Sequence, residues 1–202
     1  MVMVKYKSTD VILCLALGII LGITSKYLDT VAVDGSWITN VLHYLGDLFT
    51  RLGIWVWMAT LIAAYSRTLR RAAINTFVFF LGMLMSYYIY SAYLFGFFPT
   101  SYFISWGAIA LLSPLLAVIV WKAKDNERLA MILPALSMGL MLSLSLSIGL
   151  FYVDLAHFEE FIMYVFLCVV FYKNPKQMIV SIGLSIIMAI IICISPLYFS
   201  VL

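Results

Sequence analysis

The 202 residues are 65% hydrophobic and only 10% charged, with a mean hydropathy of +1.12 and a net charge of +3. A soluble domain carries about 25% charged residues, so this composition excludes an ordinary soluble fold and points to an integral membrane protein. The surplus of basic residues has its explanation in membrane topology, and no nucleic-acid partner is implied.

The chain reads as a single all-α transmembrane domain, a polytopic helical bundle of about seven spans over 11–25, 45–65, 72–98, 101–121, 129–153, 155–172 and 178–202. Lys5 and Lys7 before the first apolar run resemble the start of a signal peptide, but Gly22-Ile23-Thr24 is a poor cleavage site, so an uncleaved first helix is expected. In that helix Cys14, Gly18 and Gly22 form a strip of small residues that lets a second helix approach closely. Asp34-Gly35 is a turn signal, and Ser36 is a plausible N-cap for the helix that follows.

That next helix carries the chain's most distinctive pattern. Trp37, Ile38, Val41, Leu42, Leu45, Leu48 and Phe49 form an apolar stripe, while His43, Asp47 and Arg51 stand four apart on a polar face. The apolar run from Leu52 to Tyr65 is too short to cross a bilayer core of about 30 Å. The span is therefore drawn back to about Leu45, which places Asp47 and Arg51 at membrane depth with a spacing that allows them to pair. A single helix, kinked near Gly46 or Gly53, is preferred over an interfacial helix at 36–49 followed by a short span.

The third span is uncharged and its outer half is crowded with aromatic residues. An interfacial belt explains part of this, but Tyr87 and Tyr88 lie too deep for a belt and are candidates to line a pocket. Ser113-Pro114 should kink the fourth span, with neighbouring helices satisfying the carbonyl that loses its donor. The Leu-Ser alternation over 142–147 looks strand-like, yet the length of the uncharged run favours a helix in which Gly139, Ser143 and Ser147 share a face. A sixth helix starting near Leu155 would set His157 and Glu160 on one side of its first turn, and Ser181, Ser185, Ala189 and Cys193 mark a small-residue strip in the seventh. Cys14, Cys168 and Cys193 have neither metal-site spacing nor disulfide-prone positions and read as packing residues.

With a cytoplasmic N-terminus, ten of the twelve basic residues fall on the cytoplasmic side and the C-terminus lies outside, as expected for a multi-pass protein of a cell membrane such as the bacterial cytoplasmic membrane. The acids Asp29, Asp34, Asp47, Asp154, Glu159 and Glu160 and both histidines gather on the outer side. No internal sequence repeat is visible, although a three-plus-one-plus-three helix arrangement would permit a structural one.

Three functions fit this pattern. The leading one is a non-enzymatic protein that binds or transports a small solute through His43, Asp47, Arg51, Tyr87, Tyr88, His157 and Glu160. The second is an integral membrane enzyme acting on a lipid or peptide, because His43 with Asp47 and His157 with Glu160 are pairs of competent ligands or bases. The third is an immunity or sensory protein that meets a membrane partner through the Gly18/Gly22 face. No hydrolase, zinc-protease, nucleotide-binding or dinucleotide motif is present in the sequence, so no catalytic residue, metal or cofactor is assigned. The length, the Gly18/Gly22 strip and the loop before the central helix distantly resemble the substrate-binding subunits of energy-coupling-factor transporters. That resemblance would imply capture of a vitamin or metal at the outer side and docking on a shared membrane partner. The family generally has six spans with both termini inside, whereas this chain reads as seven, so no binding residue is carried over.

Overall fold

A computed structural model describes residues 9–32, 34–127, 129–148 and 152–195; Lys5, Lys7, Arg128, Gly149–Phe151 and the end of the last expected span lie outside the described residues. The described chain is helical: α1 (Thr9–Leu28), α2 (Trp37–Thr50), α3 (Leu52–Ala64), α4 (Leu69–Phe95), α5 (Thr100–Asp125), a 3₁₀ turn (Leu129–Met131), α6 (Pro134–Ser145), β1 (Leu146–Ile148), β2 (Val153–Leu155), α7 (Phe158–Phe171) and α8 (Pro175–Ile194). Four helices, α1, α4, α5 and α8, are long and apolar enough to cross a membrane, and α2 with α3 makes a fifth if the interrupted pair is one span. Exposed aliphatic side chains such as Ile12, Leu13 and Ile20 on α1 and Ile179, Ile187 and Ile194 on α8 suit contact with lipid tails.

The chain divides into two compact units, Met1–Arg51 with Ser66–Ala117 and Leu52–Tyr65 with Val118–Leu202. In the first unit α1 and α4 run parallel. Asp10 at the start of α1 accepts a 2.6 Å hydrogen bond from Arg71 Nη1 at the start of α4, and Asp29, just past the end of α1, meets Tyr87 near the end of α4. Between these points the small residues set the helix separation. A Cβ on Gly18 would overlap the Phe79 carbonyl, one on Gly22 would overlap Ser86 Oγ and the Met83 carbonyl, and one on Gly82 would lie 2.8 Å from the Leu15 carbonyl. The Gly18/Gly22 strip is thus covered by α4 of the same chain.

Thr68 caps α4 by accepting from the Arg71 amide, and Gly96 ends it with a positive φ of 69°, so the helix begins before and ends before the expected 72–98. α5 continues through Pro114. The proline leaves the Ala110 carbonyl without its helical donor, and the adjacent Ser113 hydroxyl donates to that oxygen at 2.7 Å. The rescue expected from a neighbouring helix comes from the preceding residue instead.

The second unit has a parallel pair of its own. Gln177 Nε2 and Ser181 Oγ at the start of α8 donate to the Ala130 carbonyl at 2.8 and 3.2 Å, while Cys193 near its end donates to the Ser143 carbonyl at 3.6 Å. A Cβ on Gly139 would lie 2.7 Å from Met188 Cβ and 3.1 Å from the Ser185 carbonyl. The two small-residue strips expected in the fifth and seventh spans therefore pack on each other. α7 joins them, with Tyr164 OH 3.1 Å from Ser185 Oγ.

Three expectations about continuous helices are corrected. The expected single helix over 45–65 is broken at Arg51, whose φ of −77° and ψ of 146° are extended; glycines 46 and 53 flank the break and weaken the helix on both sides. The fifth span ends at Ser145, where the Leu-Ser alternation becomes β1, paired antiparallel to β2 with Leu146 opposite Leu155 and Ile148 opposite Val153. The helix loses there because Ser145, buried at the end of α6, has its carbonyl satisfied by the Ala156 and His157 amides at 2.9 and 3.2 Å. For the same reason α7 starts at Phe158 rather than near Leu155. At 12 and 14 residues, α6 and α7 are each about 18–21 Å long.

Gly22→Leu should cost about 1–3 kcal/mol or more by forcing α1 off α4, whereas Ser113→Ala should cost about 1 kcal/mol by stranding the Ala110 carbonyl. Unfolding of the two variants in detergent, followed by tryptophan fluorescence, checks the order.

Candidate functional site

The last turn of α1 ends in two charged residues, and the parallel packing brings the end of α4 beside them. Lys26 is only 8% exposed. Its ammonium lies 3.7 Å from Asp29 Oδ2, 5.0 Å from the centre of the Tyr87 ring and 4.9 Å from that of Phe95. Tyr87 donates its hydroxyl to the same Asp29 oxygen at 2.5 Å. A cation is therefore held between two aromatic faces beside a carboxylate whose near oxygen is already engaged, an arrangement in which charge and ring quadrupoles act together. Tyr88 does something different. It is 4% exposed and packs at 5.0–5.8 Å on Tyr87, Phe98 and Phe103, with the last at an interplanar angle of 87°. Of the two tyrosines, Tyr87 presents its hydroxyl to a charged group and Tyr88 is aromatic support.

Downstream, Asp34 Oδ1 accepts from the Ser36 amide at 2.9 Å and from the Thr39 hydroxyl at 2.6 Å, while Ser36 Oγ accepts from the Thr39 amide at 3.2 Å. Gly35, at a φ of 84°, makes the turn that permits this. The expected N-cap at Ser36 is present. The Thr39 hydroxyl first and the Ser36 amide second hold the Asp34 carboxyl down to a pKa of about 2.

On α2, His43 Nδ1 lies 3.4 Å from Asp47 Oδ2, with side chains 53% and 66% exposed. Arg51 is the C-cap of α2, and its extended ψ turns the chain out of the helix after it. In the second unit, His157 Nδ1 meets the Leu144 carbonyl at 3.1 Å, at the end of α6. Glu160, 1% exposed, lies against α3, where a Cβ on Gly53 would come 2.6 Å from its Cγ. His157 is thus directed to a backbone carbonyl while Glu160 is packed inside, so the two do not form the common polar face expected from their spacing. Among the described residues, no group of three His, Cys, Asp or Glu side chains is placed to hold a metal ion.

Tyr87, Tyr88 and the outer acid Asp29 are visible in the sequence, but nothing there joins them to one another, to Lys26 or to Phe95. The available signal was local: a Lys and an Asp three apart at the end of a span. No protein-family model, curated protein or solved structure matches the chain at a significant level.

Two consequences can be measured. Tyr87→Phe keeps the ring but removes a hydrogen bond to a carboxylate, and should lower stability by about 1.5 kcal/mol with little change to the fold. The Asp34 cap, with a folded pKa below its ordinary 3.8, contributes fully above that value and is lost as pH falls through about 2. Hydrogen exchange at the Ser36 and Thr39 amides should therefore keep its protection at pH 4 and lose it near pH 2, and Asp34→Asn should weaken it at both.

Proposed function

We propose that this chain is a multi-pass membrane protein that binds or carries a small solute at the membrane face where α1 and α4 end. The observation that carries the reading is the largely buried Lys26 side chain, whose ammonium lies beside Asp29 between Tyr87 and Phe95. A lysine at the end of a span ordinarily extends its charge into water; one kept between aromatic rings marks a place built to receive a charged group.

Seven crossings are the topology that the helix directions support. Parallel neighbours α1 and α4 require one return between them, for which α2 and α3 are the available elements. Parallel α6 and α8 require another, supplied by α7. With α5, this makes seven in the three-plus-one-plus-three order, with α6 and α7 as short crossings of about 18–21 Å where the bilayer thins around them. Arg67, Arg70 and Arg71 precede or open α4, and Lys173 and Lys176 precede or open α8, which supports a cytoplasmic start for both pairs and an outer location for the Lys26 end. His43, Asp47, Arg51, Tyr88, His157 and Glu160 are proposed as secondary contributors to recognition at that face, with the surrounding bilayer as the constant partner.

Purification of the protein in mild detergent from its native membranes, followed by small-molecule mass spectrometry, tests the reading. A solute should travel with the wild-type chain and be lost from Asp29→Asn/Tyr87→Leu at equal protein yield. Equal recovery of every small molecule with both proteins contradicts the site.

A further inference from the structure

We propose that Asp29, Tyr87 and Phe95 form a cage for an organic cation without N–H donors, a quaternary ammonium group, and that the Lys26 ammonium occupies this cage as a tethered stand-in when no ligand is bound. The inference rests on the site named above and adds the class of its ligand.

The contacts of Lys26 carry the argument. An ammonium has three donors and ordinarily spends them on oxygen atoms of the protein or of water. Here the nearest carboxylate oxygen is 3.7 Å away, beyond hydrogen-bond distance, and already accepts from Tyr87 at 2.5 Å. The remaining contacts are the faces of two rings, at 5.0 and 4.9 Å. A carboxylate nearby, aromatic faces on two sides and, among the described residues, no protein hydrogen bond to the nitrogen suit a methylated ammonium better than they suit a lysine. A quaternary ammonium makes no hydrogen bonds to lose, and its diffuse charge is cheaper to take out of water.

The architecture makes exchange feasible. Phe95 is exposed on one side, in the last turn of α4 before Gly96, so the cage has an open wall. Lys26 stands in the last turn of α1, two residues before the helix ends, and its long side chain can swing to water. The Tyr87 hydroxyl fixes Asp29 in place whether or not Lys26 is there. Lys26 thus competes with the ligand, and the apparent affinity of the wild-type chain is lowered by the fraction of time that the cage is filled.

The test uses the full chain in nanodiscs and the tetramethylammonium ion as probe, with binding read by isothermal titration calorimetry. Lys26→Met removes the competing and repelling charge, and should bind the probe about tenfold or more tightly than wild type. Adding Asp29→Asn to that variant should abolish the gain, and adding Tyr87→Leu, which removes one ring face, should abolish most of it. In the wild-type chain, which needs no substitution to fold, saturating probe should expel Lys26 and raise its rate of acetylation by an amine reagent about threefold or more. No gain in Lys26→Met together with an unchanged acetylation rate overturns the proposal, as does a gain that survives Asp29→Asn. If a co-purified solute is still lost from Asp29→Asn/Tyr87→Leu while tetramethylammonium fails in both assays, the cation class is wrong and the site reading stands.

Discussion

Direct backbone approach between α1 and α4 is the constraint on which the first unit depends. Lipid tails are as apolar as leucine, so two helices in a bilayer gain little from hiding aliphatic side chains and must gain from contact. Gly18, Gly22 and Gly82 supply that contact by admitting the opposite backbone where any Cβ would collide. Once the glycines set register and direction, the ends of the helices follow. Asp10 is brought to Arg71 at one end, and Lys26 and Asp29 are brought to Tyr87 at the other. The candidate site is a by-product of a packing rule acting one or more helical turns away.

The second unit solves the same problem with serines, a glutamine and a single glycine. Gln177 and Ser181 donate to the carbonyls of Ala130 and Met131 where the 3₁₀ turn leaves them short of helical partners. Gly139 then admits Met188 and Ser185. Away from water an unmet carbonyl is costly, and the chain meets such costs locally: Ser113 serves Ala110, Ala156 and His157 serve Ser145, and the His157 ring serves Leu144. The β1–β2 pairing is therefore a way to end α6 without stranding its carbonyls.

Much of this was legible in the residues. Composition and run length identified α1, α4, α5 and α8 as spans, and the small-residue strips in three helices pointed to the faces that pack. Legibility failed where the deciding contact is remote in sequence. Nothing in the spacing of Lys26 and Asp29 reveals that Tyr87, fifty-eight positions beyond Asp29, completes their site. The sequence places a kink near Gly46 or Gly53 without fixing its position; the chain turns extended at Arg51, between the two. The alternation at 142–147 was read as a strand signal and then overruled by length, although the strand signal was correct for Leu146–Ile148. A length argument fails when a hairpin can take over part of an apolar run.

The central claim is that α1 and α4 run in the same direction, so that the chain between them recrosses the membrane and leaves Lys26 and Asp29 on the face opposite the arginines. Single cysteines at Asp34 and Thr68, in a background with Cys14, Cys168 and Cys193 replaced, test this most directly when labelled with a membrane-impermeant maleimide in intact cells. The account predicts that Asp34→Cys reacts in intact cells and Thr68→Cys only after the membrane is opened. Labelling of both from the same side would contradict the parallel pair and the site built on it.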